Sequence, residues 1–158
     1  MSHASQYLNE AAQICALLDD GQIDRMALEL CRLRGRLFIL GLGGSAANAS
    51  HAVNDFRKLC HMQAFSPSDN VAELTARAND EGWHCIYSDW LRASRLDSND
   101  ALLVLSVGGG NEQVSAPIVS AVAYATLMGA KVYGILGRDG GYTALHADCC
   151  VIVPTVKD

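Results

Sequence analysis

Apolar positions along this chain follow two periods, and their order predicts an α/β fold. Ala4, Leu8, Ala11, Ala12, Cys15 and Leu18 fall on one face of a helix over residues 4–18. A second helix is predicted from Ile23 to Leu33, with Gly35 interrupting the pattern. Arg36–Gly41 then reads as a short strand buried on both faces, because its apolar run is continuous rather than alternating. Helical spacing returns from Ala46 to Leu59, and Gln63–Phe65 is a candidate short strand. Helices are predicted over 71–78 and 82–92, and Ala101–Ser106 is a strand running into glycines. A strongly apolar helix over 114–128 follows, then a strand Lys131–Leu136, a glycine loop 137–141 and a short helix. Cys149–Val153 is the last strand, and Pro154 ends its regular pairing. Strands alternating with helices imply a mostly parallel sheet with helices on both faces, preceded here by two N-terminal helices. Those two helices are expected to cap the sheet or to pair with another copy.

Length and composition narrow this picture. The 158 residues suit one domain, with residues 1–34 forming the N-terminal helices and 35–158 the core. Half the residues are hydrophobic but only 6% are aromatic, so Ala, Val, Leu and Ile must fill the core. The net charge of -5 and the lack of a basic run argue against a nucleic-acid partner. No apolar stretch approaches the roughly 20 residues of a membrane helix. A cytoplasmic protein is the expectation. The six cysteines form no C-x-x-C pair, so they read as reduced thiols rather than a cysteine zinc site.

Glycine loops directly follow the strands, and such loops bear ligands in open parallel sheets. In Gly41-Leu-Gly-Gly-Ser-Ala-Ala-Asn48 the glycines let a ligand approach the backbone. Free amides at the helix start attract an anion there, and Ser45 adds a hydroxyl. This loop lacks the third glycine and the acidic ribose partner of a dinucleotide site, and the lysine of a Walker loop, so no nucleotide cofactor is expected. Ser106-Val-Gly-Gly-Gly-Asn-Glu-Gln-Val-Ser115 repeats the strand–glycine–helix arrangement. Two such junctions in one small sheet point to a phosphate held in one crevice.

Four segments, in order, carry a family resemblance. GLGGSAANASH resembles the GNGGSAAxAxH loop of the SIS-domain phosphoheptose isomerases, and LTARANDEGW their LTAxANDxGY segment. SVGGGNEQVS stands where that family has a serine-rich loop, and GRDGGYTALHADCCVIVP resembles its GxDGGxxxxxADxxIxVP. The resemblance implies a flavodoxin-like three-layer SIS domain in a homo-oligomer, tetramer or dimer, with sites between subunits. It implies the aldose–ketose interconversion of sedoheptulose 7-phosphate and D-glycero-D-manno-heptose 7-phosphate. Gly43, Gly44, Ser45, Asn79, Asp80, Ser106, Gly108 and Ser115 fall on substrate positions. His51 falls on a metal-ligand position, with zinc the candidate metal. Asp55 falls where many members have a glutamate that serves as base and ligand. His51 and Asp55 are four residues apart, which a helix places on one face.

The departures are specific. Leu42 stands for the usual Asn, Asn54 for a neighbouring acid, and Asp55 is one methylene shorter than Glu. Val107 and Gly108 stand for hydroxyl residues. The family's pattern continues past the Val-Pro strand into a helix with a Gln and a His of the catalytic set, whereas these residues run to Asp158. Two expectations follow: the protein continues beyond Asp158 with that helix, or it is a non-catalytic SIS module that binds a sugar phosphate or a protein. His61, His84 and His146 read as surface or packing histidines, and Arg57-Lys58 as a solvated helix end. Trp83 and Trp90 fit helical core spacing, and Arg138-Asp139 reads as a structural or inter-subunit turn.

Overall fold

The computed structural model describes residues 1–111 and 113–155. Glu112 of the second glycine loop and residues 156–158 of the predicted core lie outside the described residues. Two helices, α1 (His3–Leu17) and α2 (Asp20–Cys31), precede the first strand, β1 (Leu37–Leu40). Then come α3 (Gly44–Cys60), β2 (Ala64–Phe65), α4 (Val71–Asp80), α5 (Ile86–Ala93) and β3 (Ala101–Ser106). The chain continues through α6 (Ala116–Leu127), β4 (Lys131–Gly137), α7 (Gly141–His146) and β5 (Cys149–Val153).

The strands form one parallel sheet in the order β2-β1-β3-β4-β5. Successive strand residues face opposite sides, so each strand feeds two cores. Phe38, Leu40, Leu102, Val104, Val132 and Leu136 pack under α5 and α6, against Ile86, Tyr87, Leu91, Ile118 and Val122. Leu37, Ile39, Leu103, Tyr133 and Val151 pack under α2 and α3, against Met26, Leu30, Ala49 and Val53. β1 is buried along its whole length, as its unbroken apolar run predicts.

Polar caps start the helices. Ser2 accepts from the Ser5 amide, Asp19 from Gln22 and Asn70 from Glu73, at the starts of α1, α2 and α4. At the opposite sheet end from the glycine loops, the buried Asp100 carboxylate accepts from the Arg36 amide at 2.7 Å and from its guanidinium at 2.6 Å. Burial alone would push the Asp100 carboxyl up, but these bonds to Arg36 and one from the Asp97 amide hold it below the usual carboxylate range.

Three expectations are corrected. The helix predicted over 82–92 is a 3-10 turn, Trp83–Cys85, followed by α5, because Gly82 enters at φ 98° and cannot start an α-helix. Trp83 is 53% exposed rather than core, whereas Trp90 packs edge-on against Phe38 at 5.5 Å between ring centroids. The helix predicted from 114 starts at Ala116, since Ser115 is in the left-handed conformation at φ 62°. Of the two N-terminal helices, α2 buries Met26 and Leu30 on the sheet, but α1 has no buried residue.

Candidate functional site

Strand order reverses direction between β1 and β3, and ligands bind such sheets outside the carboxyl ends of the strands at that point. A cleft of about 680 Å³ opens there. The loops after β1, β3 and β4 line it with Leu42, Ser45, Ser106, Ser115, Arg138 and Asp139 among others.

Each loop has a reason for its shape. Gly41 ends β1 against the first turn of α3, and a Cβ there would sit 2.4 Å from the Ser45 carbonyl oxygen. Gly43 turns the chain at φ 59°, ψ -125° and caps α3 with no side-chain bond. At Gly44 a Cβ would meet nothing within 4 Å, so the helix start stands open to an incoming group. The buried Tyr87 hydroxyl donates to the Gly41 carbonyl at 2.6 Å and fixes the loop from below. Burial pushes that phenol up to about 12.

The second loop folds on its own side chains. Ser106 Oγ accepts from the Gly109 amide at 3.0 Å, and Asn111 Oδ1 from the Gln113 and Val114 amides at 2.9 and 2.8 Å. The third loop lies directly on the second. A Cβ on Gly109 would fall 1.7 Å from the Gly140 carbonyl oxygen, and one on Gly141 would fall 2.2 Å from that of Gly108. The Tyr142 amide donates to Gly110 O at 2.8 Å, and the buried Thr143 hydroxyl to Gly109 O at 2.6 Å. Gly109 on the second loop and Gly141 on the third are thus packing requirements between two loops. Like α3, α6 starts on the cleft without a side-chain cap, so two helix N-termini with their partial positive charge face it.

Ser45, Ser106, Gly108 and Ser115 come together in this cleft. Gly43 and Gly44 lie on its first loop and are exposed. His51 and Asp55 do share one face of α3, with Nε2 and Oδ2 3.3 Å apart, but their side chains are exposed and do not line the cleft. Asn79 and Asp80 end α4, exposed, with Asn79 Nδ2 donating to Asp80 Oδ1 at 2.7 Å. They too stand outside the cleft. His51 and Asp55 offer two donors, whereas zinc takes three or four protein ligands. No group of three His, Cys, Asp or Glu residues suited to a metal exists among the described residues. Within one chain the donor set does not fit zinc. The six cysteines are free, with Cys149 buried in β5.

Comparison with known proteins agrees with this geometry. The SIS domain model matches residues 6–137. The phosphoheptose isomerase of Helicobacter pylori strain Shi470 is 30% identical over 135 residues, covering 82% of this chain and 68% of the relative. The chain belongs to the SIS-domain phosphoheptose isomerase family. The phosphoheptose isomerase of Chlorobaculum tepidum is 34% identical over 136 residues, 82% of this chain. The chain spans 63% of that relative's length. The solved structure of phosphoheptose isomerase from Neisseria gonorrhoeae superposes with a TM-score of 0.79 at 27% identity, covering 96% of this chain and 81% of that one. Among the described residues no helix is long and apolar enough to cross a membrane.

Sequence patterns did not reveal three contributors to this SIS site. Tyr87 carries no motif, and its role comes from a single hydroxyl reaching Gly41. Thr143 sits inside the YTALH segment without a distinguishing neighbour. Arg138 belongs to a turn segment in the sequence, and neither its left-handed backbone, φ 53°, nor its place in the cleft is marked by the pattern.

Proposed function

We propose that this protein is an aldose–ketose isomerase acting on a sugar phosphate, with sedoheptulose 7-phosphate as substrate and D-glycero-D-manno-heptose 7-phosphate as product. The observation that carries this reading is the cleft at the β1/β3 switch point, where Ser45, Ser106 and Ser115 meet two open helix starts in a chain of this family. Hydroxyls and backbone amides so placed bind a phosphate group without a counter-cation of their own. The reaction moves one proton between C1 and C2 through an enediol and needs a base beside the carbon and a donor at the oxygens. Asp55 takes the proton and returns it to the neighbouring carbon, and His51, with Nε2 3.3 Å from Asp55 Oδ2, polarises the sugar oxygen. Because this pair stands off the cleft of its own chain, the working site is assembled in a homo-oligomer.

The test is exchange at the carbon acid. Wild type with sedoheptulose 7-phosphate in deuterated water should incorporate deuterium at the carbons that trade the proton. Asp55→Asn should slow this by roughly 10²–10⁴-fold while leaving phosphate binding intact. Equal rates in the two proteins would refute Asp55 as base. The position of His51 and Asp55 outside the cleft favours a second reading, a sugar-phosphate-binding module without turnover. That reading predicts tight binding and no exchange in the wild type.

A further inference from the structure

We infer that Arg138 is the charged anchor of the phosphate subsite, selecting a phosphate dianion over an uncharged sugar; this rests on the sugar-phosphate reading above. Three observations lead to it. Arg138 lines the same cleft as Ser45, Ser106 and Ser115. It holds a left-handed backbone, φ 53°, which a non-glycine residue adopts at a cost and which here turns its side chain along the second loop. Its guanidinium has no ion-pair partner among the described residues, which is also true of Arg32, Arg34, Arg57 and Arg95, but of these only Arg138 lines this cleft.

The Arg138 side chain lies beside Gly108. A Cβ at that position would lie 3.8 Å from Arg138 Nη1 and 4.0 Å from its Cδ, so the guanidinium lies alongside the bare loop backbone. The second loop carries Val107 and Gly108 rather than two hydroxyl residues, and the arginine beside it supplies donors that the loop lacks. Its planar fork can give two parallel N–H bonds to one phosphate, and its charge is permanent. Asp139 also lines the cleft, but its Oδ1 accepts from the Gly141 amide at 3.1 Å, which occupies that carboxylate within its own turn. In a chain of net charge -5, a local cation strengthens the pull of this cleft on an anion.

Calorimetric titration of the full chain with sedoheptulose 7-phosphate, and with unphosphorylated sedoheptulose as control, tests this. Arg138→Gly is the informative variant because glycine takes φ 53° freely, so the fold should survive with a thermal midpoint within a few degrees of wild type. Its affinity for the sugar phosphate should fall about 10–100-fold, while affinity for the free sugar stays unchanged. Arg138→Lys, with charge but no fork, should fall between them. The wild-type advantage should widen from pH 5 to pH 7.5, as the phosphate loses its second proton near pH 6; a purely structural arginine would give no such profile. Unchanged affinity in Arg138→Gly overturns the inference and leaves the isomerase reading standing. Absence of sugar-phosphate binding in the wild type overturns both.

Discussion

Thr143 on α7 donates its hydroxyl to the carbonyl of Gly109 at 2.6 Å, and this bond ties the loop after β4 to the loop after β3. The pair sits beneath the cleft, so it sets the spacing between the two loops that would grip a phosphate. Thr143 is fully buried, and Gly109 O also takes its amide at 3.1 Å. Thr143→Val keeps the shape and removes the hydroxyl. It should cost about 1 kcal/mol, or roughly 2–4 °C in thermal midpoint. Thr143→Ser should recover most of this. Equal midpoints for wild type and Thr143→Val would show that the bond contributes nothing.

Neighbouring glycines of the second loop should respond in opposite ways. Gly109→Ala places a Cβ inside the Gly140 carbonyl, 1.7 Å from its oxygen, at a φ of +65° that disfavours a side chain as well. Backbone cannot move aside there without parting the two loops, so a loss above about 4 kcal/mol is expected. Gly108→Ser meets only the flexible Arg138 side chain, at 3.8 Å, and should leave the midpoint nearly unchanged. Chemical denaturation of both variants checks the contrast. A Gly109→Ala protein as stable as wild type would mean the loops are not in contact.

The bond from Tyr87 to Gly41 has a pH signature. Burial raises the phenol to about 12, whereas an unfolded tyrosine titrates near pH 10. A folded pKa above the unfolded one means the neutral form is favoured in the fold. That stability is fully present below about pH 10 and is lost as pH rises towards 12, to the extent of about 2–3 kcal/mol. Tyr133, also pushed up by burial, adds to the same fall. The Tyr87 share is therefore the difference between wild type and Tyr87→Phe. At neutral pH, Tyr87→Phe should cost about 1–3 kcal/mol by leaving the Gly41 carbonyl unpaired. Parallel stability curves between pH 9 and 12 would refute the assignment.

Much of this molecule is legible in its sequence because burial imposes period. Leu37–Leu40 and Ala101–Val104 are apolar at every position since both sheet faces are covered, and they read directly as parallel strands. The serines of the cleft are legible because glycine and serine after a strand have few other uses. Ser45, Ser106 and Ser115 follow this pattern, and all three line the cleft. What the pattern hides depends on single dihedrals and single bonds. Arg138 combines a positive φ with a place in the cleft, and Tyr87 fixes a loop 46 residues away in sequence. Trp83 shares helical spacing with core residues, but the 3-10 turn after Gly82 rotates it to the surface. The His51–Asp55 spacing correctly gave a shared helix face, though spacing carries no information about which cleft that face meets.

Helix α1 supplies the last prediction. Among the described residues it buries none of its own side chains, and Tyr7, Leu8 and Leu17 are 65%, 65% and 62% exposed. Large apolar side chains left exposed along one helix are costly in water and make α1 the candidate surface for the proposed association. The site proposed above needs an assembly in which the His51–Asp55 pair of one chain reaches a sugar held by another, and association through α1 is the candidate for it. The phosphate clamp needs no such help, since Ser45, Ser106, Ser115 and Arg138 line one cleft of one chain. Leu8→Glu places a charge on this surface, at a position with no buried contact to disturb. It should yield a monomer by light scattering with an unchanged helical signal. Isomerisation should then fall by about 10²-fold or more, the scale of a lost general base, while sugar-phosphate affinity stays close to wild type. A monomeric Leu8→Glu protein with full activity would show that each chain carries a complete site. A wild type that is already monomeric at micromolar concentration would remove α1 as an interface altogether.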